Sequence, residues 1–194
     1  MNNNMKSGLM LAVNPNFERE KNDFYATDPN ALKIALPLLR EIGLDTNLWE
    51  CSCGEGHLSK VLLENGYNVK STDLIYRGFG VGNEDFLKHE EKWEGDIITN
   101  PPFKYAEDFI KKSMELLNEG HKAIFFLKIQ FLESKRRKNL FKEFPPKYVI
   151  VNSERQKCAK NGEFEKYCKN ANTQCWCWFV FEKGFKGNPQ ILWI

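Results

Sequence analysis

The stretch Asp96-Ile97-Ile98-Thr99-Asn100-Pro101-Pro102-Phe103 carries an apolar strand pattern into a doubly prolyl corner. Two consecutive prolines fix φ and remove two backbone donors, so the corner is stiff and its carbonyls cannot fold back into a sheet. There the Asn100 side-chain oxygen and the Pro101 carbonyl could accept both hydrogens of a planar exocyclic amine, turning the nitrogen lone pair outward as a nucleophile. Phe103 would stack on the ring that bears the amine. Any Pro-Pro pair can also be a turn whose rings merely pack. Position argues against that here, because the corner ends a strand pattern three elements downstream of a glycine turn.

That turn is Glu50-Cys51-Ser52-Cys53-Gly54-Glu55-Gly56. Glu50 ends a short buried strand, Gly54 and Gly56 let backbone approach a ligand, and the helix behind them offers amide donors to a carboxylate or phosphate. A glycine turn alone is a weak signal. It is not Gly-x-Gly-x-x-Gly, since Ser59 stands at the third glycine, and no Gly-Lys-Ser/Thr follows to make a phosphate-cradling loop. Asp73 closes the next strand about twenty residues on, where a carboxylate can accept from ribose hydroxyls or simply end a turn. Asp85 and Phe86 fall where a third strand should end. There the carboxylate could take an adenine amino proton while the ring packs beside it.

The elements that must position these groups alternate. Asp28 caps and Pro29 opens a helix whose stripe is Leu32, Ala35, Leu36, Leu39 and Ile42, ended by Gly43 and expected to kink at Pro37. Strands are predicted over 48–51, 67–72, 96–99, 122–128, 148–152, 173–181 and 190–194. Helices are predicted over 57–65 and 105–118, with a basic helix over 132–144. This alternation predicts an α/β fold with a mainly parallel sheet and helices on both faces. The last two strands should form a C-terminal antiparallel hairpin across the Gly184/Gly187 turn. Residues 1–22 read as a polar N-terminal arm and 23–194 as a single domain, with 153–172 a long basic loop.

At 194 residues, 42% hydrophobic and 28% charged, the chain suits one globular domain and not two. No apolar run approaches the ~20 residues a membrane crossing needs, and the first residues lack a secretory pattern. Six cysteines are too sparse for a disulfide scaffold, so a cytoplasmic protein with reduced thiols is expected. No Cys-x-x-Cys pair is present and no metal site is expected. Trp176 and Trp178 share one strand face and read as core. Charge is unevenly spread: residues 1–134 carry 15 Lys/Arg against 21 Asp/Glu, and residues 135–194 carry 13 against 5. The run Lys135-Arg136-Arg137-Lys138 reads as a solvated helix face. Arg155, Lys157, Lys160, Lys166 and Lys169, interleaved with Phe164 and Tyr167, suit a nucleic-acid strand.

In this order and spacing, Gly54-x-Gly56, Asp73, Asp85 and Asn100-Pro101-Pro102-Phe103 resemble the Rossmann-fold S-adenosylmethionine-dependent amino-methyltransferases, which include the DNA adenine-N6 methylases. The segment from Asp23 to Pro29, then Phe131-Leu132-Glu133-Ser134, Arg155 and the stretch from Trp176 to Gly184 are similar to compact phage and prophage DNA methylases. The resemblance therefore covers about residues 22–194. It implies S-adenosylmethionine as cofactor, held by Tyr25, Thr27, Glu50, Gly54, Gly56, Asp73, Asp85 and Phe86. It implies catalysis at Asn100, Pro101, Pro102 and Phe103, and adenine N6 in DNA as the target. Cys51 stands where such enzymes often have proline, and Glu55 where they often have aspartate; neither removes a group the chemistry needs. No segment has the size of a separate target-recognition domain, so base selection would fall to 153–172, the N-terminal arm or a protein partner. The same corner would serve cytosine N4, an RNA base or a glutamine amide. A non-catalytic nucleic-acid binder of this fold would not need all four corner residues.

Overall fold

The first helix begins where its capping residues place it: Asn30 N donates to Asp28 Oδ1 at 2.9 Å, and Pro29 fills the first helical position. The computed structural model describes residues 25–154, 158–160 and 175–194. Strand β1 (Tyr25–Thr27) leads into α1 (Pro29–Glu41), then β2 (Asn47–Glu50), α2 (His57–Glu64) and β3 (Asn68–Ser71). After these come β4 (Asp96–Thr99), α3 (Ala106–Leu116), β5 (Lys122–Lys128), α4 (Lys138–Glu143) and β6 (Tyr148–Val151). The described chain closes with β7 (Cys158–Lys160), β8 (Trp176–Glu182) and β9 (Gln190–Trp193). Pro37 lies inside α1, which continues through it as one helix.

Seven strands form one sheet in the order β3-β2-β4-β5-β8-β6-β9. β2 pairs parallel with β3 and β4, β4 with β5, and β6 with β9; β8 alone runs antiparallel, to both β5 and β6. Successive residues of the central strands face opposite sides. Ile97, Phe125 and Phe179 pack with Phe109, Ile110 and Met114 of α3. Ile98, Phe126 and Trp178 pack with Leu32, Leu36 and Leu39 of α1 and Leu58 and Val61 of α2. Burial on both faces explains the unbroken apolar runs of β5 and β8. Both expected tryptophans are core: Trp176 is 4% exposed and Trp178 is fully buried.

Four expectations need correction. The terminal hairpin does not form. β8 is buried over most of its length and takes β5 and β6 as its two neighbours, while the largely exposed β9 takes the sheet edge beside β6. No third strand precedes Asp85; one parallel bridge, Thr72 to Val81, stands there, and Asp85 caps a short 3-10 turn at Phe86–Lys88. The basic helix is confined to α4, after a 3-10 turn at Ile129–Leu132. Arg137 donates from its guanidinium to the carbonyls of Phe131 and Glu133, and Arg136 N donates to Ser134 Oγ, so side chains take up partners a helix would have used. Finally, the 153–172 interval is not wholly loop, because it contains β7, which pairs antiparallel with β1. Among the described residues, no helix is long and apolar enough to cross a membrane.

Candidate active site

The chain runs from β2 outward to β3 and returns on the other side of β2 as β4. Such a reversal parts the loops at the carboxyl ends of β2 and β4 and opens a crevice between them. A cavity of about 730 Å³ lies there. Its walls include Gly54 from the turn after β2, Asp73 from beyond β3, Asp85 from the 3-10 turn, and Asn100, Pro101, Pro102 and Phe103 from the corner after β4. The glycine turn and the prolyl corner thus share one cavity.

The turn is braced before any ligand arrives. Gly54 N donates to Asp73 Oδ2 at 2.8 Å and Ile75 N donates to Asp73 Oδ1 at 2.9 Å, so Asp73 both ends its strand and ties the turn to it. The turn and ligand readings of this residue coexist, since each carboxylate oxygen can accept more than one bond. Glu50 lines the cavity yet is 2% exposed, and its Oε2 accepts from Ser59 N at 2.8 Å and from Ser59 Oγ. Ser59 Oγ in turn lies 2.6 Å from Ser71 Oγ. Burial pushes the Glu50 carboxyl up to about 8, against the opposing pull of the Ser59 bonds. Gly56 does not line the cavity. It has φ +78° at the start of α2, and a Cβ there would lie 2.3 Å from the Phe79 ring, so its packing requires glycine independently of any ligand.

Asp85 Oδ1 accepts from Leu87 N at 3.2 Å, and its Oδ2 lies 3.1 Å from Lys88 Nζ. Phe86 is 3% exposed and edge-on to Trp49 at 5.2 Å, so it belongs to the core as well as to the cavity wall. The two thiols at the cavity, Cys51 and Cys53, are raised by burial, the first well above its ordinary value and the second to about 12. Both stay protonated near neutrality, which removes the thiolate that methylation of a pyrimidine carbon would require.

The corner is held from two sides. Ser52 Oγ lies 2.6 Å from Thr99 Oγ1 and donates to the Asn100 main-chain carbonyl at 3.1 Å, joining the turn after β2 to the tip of β4. Asn100 Nδ2 donates to Thr27 Oγ1 at 2.9 Å, which places the nitrogen end of the amide beside β1. Tyr105 N donates to the Pro102 carbonyl at 2.8 Å, closing a 3-10 turn at Phe103–Tyr105. Ser52 and the Thr27–Asn100 bond were not predicted from sequence as supports of the corner. A hydroxyl two residues after the strand-ending Glu50 was the one available signal for the first, and none announced the second.

Tyr25 contributes backbone to β1, in register with Lys160. Arg155, Lys157, Lys166 and Lys169 lie outside the described residues, as do the 1–22 arm, Phe164 and Tyr167. Lys160 is described only through its backbone in β7. The β1–β7 register sets Thr27 opposite Cys158, and Thr27 lines the cavity. The backbone of Cys158–Lys160 therefore pairs with a strand that reaches the cavity wall. Cys175 is exposed and Cys177 buried, and among the described residues no His, Cys, Asp or Glu cluster could hold a metal ion.

No protein family profile and no curated protein sequence matches the chain. Solved structures do. A candidate class I S-adenosylmethionine-dependent methyltransferase from Listeria monocytogenes matches with a TM-score of 0.59 at 12% identity, over 91% of this chain and 67% of that one. A candidate RNA methyltransferase from Pyrococcus horikoshii matches with a TM-score of 0.61 at 18% identity, over 87% of this chain and 92% of that one. The type IIG restriction endonuclease BpuSI matches with a TM-score of 0.58 at 15% identity, over 84% of this chain but 26% of its own length. The mixed seven-stranded sheet and these similarities agree: the chain has the Rossmann-like fold of class I S-adenosylmethionine-dependent methyltransferases.

Proposed function

We propose that this protein is an S-adenosylmethionine-dependent methyltransferase acting on a planar exocyclic amine, with adenine N6 in DNA as the target. One observation carries the reading: a single cavity runs from the Gly54 turn to the Asn100–Phe103 corner, so a donor held at one and an amine held at the other would meet. A volume of about 730 Å³ is within the range of cofactor pockets. The side chains along it suit this cofactor. Asp73 and Asp85 supply acceptors for hydroxyl and amino groups, Phe86 an apolar wall, and Thr27 and Glu50 polar groups near the corner and the turn. Tyr25 would act through the backbone of β1, and Gly56, which does not line the cavity, by giving the turn its left-handed entry into α2.

When bound, the cofactor supplies an electrophilic methyl on a sulfonium. The chain supplies alignment. Asn100 and the Pro101 carbonyl would accept the two amine hydrogens, and Phe103 would hold the ring flat. Acceptors fixed in advance for the positive charge that develops on nitrogen lower the barrier without reorganisation during the reaction. No enzyme nucleophile is needed, in keeping with the neutral Cys51 and Cys53 thiols. A base inside a duplex must be extruded to reach the corner. The basic residues Arg155, Lys157, Lys160, Lys166 and Lys169 would contact the phosphates of that strand, a reading supported by the pairing of Cys158–Lys160 with β1, whose Thr27 lines the cavity.

Incubation with methyl-tritiated cofactor and unmethylated DNA, RNA or protein, followed by digestion and mass spectrometry, tests the reading. N6-methyladenine from DNA is the expected product. Label on cytosine N4, on an RNA base or on a glutamine amide would keep the chemistry and change the substrate. Absence of cofactor binding in calorimetry would leave a methyltransferase-like scaffold and overturn the proposal.

A further inference from the structure

Phe103 does not stand alone at the corner. Its ring centroid lies 5.2 Å from that of Trp176, at an interplanar angle of 37°. Trp176 is in turn stacked on Phe126, 5.3 Å away at 13°. Phe126 is fully buried in β5 and Trp176 is 4% exposed at the start of β8, so three rings run in series from the middle of the sheet to the cavity. Phe103 lines that cavity and Trp176 does not. Trp176 therefore backs Phe103 from the protein side.

A cation closes the arrangement. Lys128 is the direct cross-strand partner of Trp176 in the β5–β8 ladder. Its Nζ lies 5.2 Å from the Phe103 centroid and 5.4 Å from the Trp176 centroid. With 5.2 Å between the rings, the three points form a nearly equilateral triangle. The ammonium thus sits beside the pair, attracted by both rings, and does not cap the Phe103 surface remote from Trp176. Side chains from β5 and β8 converge on the one ring that the proposed reaction asks to be flat and fixed.

We infer that Trp176 and Lys128 are positioning residues for Phe103, and that with Phe126 they form a rigid aromatic support selecting a flat heterocyclic amine over a flexible side-chain amide. The inference rests on the proposed function for the identity of the reaction. An aliphatic amide gains little from such a surface, whereas a base stacks on it with its whole face. Alignment is also where a small displacement is most costly to rate.

Two measurements test it. The first uses Trp176→Leu, Trp176→Phe, Lys128→Met and Lys128→Arg with tritiated cofactor and unmethylated random-sequence duplex DNA. Trp176→Leu and Lys128→Met should lower kcat ~10-fold or more while calorimetric cofactor affinity stays within about twofold. Trp176→Phe and Lys128→Arg should recover most of the rate. Among the described residues Trp176 Nε1 has no hydrogen-bond partner, so the phenylalanine variant keeps a ring without removing a bond seen there. Unchanged kcat in Lys128→Met, or Trp176→Phe as impaired as Trp176→Leu, would overturn the inference. The second measurement does not depend on activity. With 5-fluorotryptophan in the five tryptophan positions, Trp176→Phe assigns the Trp176 resonance. Addition of 2′-deoxyadenosine 5′-monophosphate should shift that resonance, and Phe103→Leu should abolish the response. A resonance indifferent to the nucleotide would refute the support. A wild-type protein that labels no substrate would refute the proposed function instead.

Discussion

Asn100 Nδ2 donates to Thr27 Oγ1 at 2.9 Å, across 73 positions of sequence. Thr27 ends β1, which lies outside the main sheet and pairs only with β7 among the described strands. The residue is 3% exposed. A side-chain amide rotates freely about its last bond unless a partner holds it. Here Thr27 Oγ1, on a strand that pairs with Cys158–Lys160, holds the Asn100 side chain in place. The setting of the corner is thus coupled to two segments remote from it in sequence.

Thr27→Val keeps the shape of the side chain and removes the acceptor. Removing one partner of a buried hydrogen bond costs ~1–3 kcal/mol, and each 1.4 kcal/mol at the transition state is about tenfold in rate. Methyl transfer by Thr27→Val should fall ~10-fold or more, with a modest drop in thermal midpoint, and Thr27→Ser should restore most of it. Full activity in the valine variant would mean that Asn100 takes its orientation from elsewhere.

Asn100→Ala tests the amide itself. Deleting one preorganised polar group that acts in the transition state typically costs about 10²–10³ in kcat. The proposed cofactor half of the cavity is lined by Gly54, Asp73 and Asp85, so cofactor affinity measured by calorimetry should stay within about twofold. A variant with an unchanged kcat but a collapsed cofactor affinity, so that the normal rate returns only at high cofactor concentration, would reverse the assignment of the two ends.

Gly56→Ala separates packing from binding. The substitution places a Cβ 2.3 Å from the Phe79 ring in a backbone at φ +78°. Overpacking of this kind costs ~1–3 kcal/mol, and the left-handed backbone adds to it. The thermal midpoint should fall by several degrees, while the folded fraction at low temperature binds cofactor almost normally. A large loss of affinity without loss of stability would restore Gly56 to the binding surface.

What the sequence discloses depends on how local the cause is. β4 over 96–99 and β5 over 122–128 coincide with their expected bounds, because an apolar run stopped by prolines or glycine carries its own limits. The cap at Asp28 is equally local. The position of β8 is not. Its pattern demanded burial on both faces, but only the competition of β5, β6 and β9 for sheet edges decides its neighbours. The basic helix shortens to α4 because Arg137 reaches backbone carbonyls that no periodicity reveals. At the site, the acceptors and the prolyl corner are legible as residue types. The Ser52, Thr27, Trp176 and Lys128 contacts that fix their geometry are products of the assembled sheet.

Glu50 makes the stability of the ligand-free protein depend on pH with a definite sign. Burial raises its carboxyl from an ordinary 4.5 to about 8. Between those values the folded state holds a proton that the unfolded state has released. Raising pH therefore favours unfolding, with a slope of at most about 1.4 kcal/mol per pH unit. His57 acts in the opposite direction: burial lowers it from 6.5, so its contribution grows as pH rises and is complete above that value. The window from about 6.5 to 8 therefore reports Glu50 with little interference from His57. Denaturant melts across this window should show wild-type stability falling as pH rises. Glu50→Gln, whose amide oxygen can still accept from Ser59, should give a flatter profile and the larger advantage at the alkaline end. Parallel profiles for the two proteins would mean that Glu50 is already ionised when the cavity is empty.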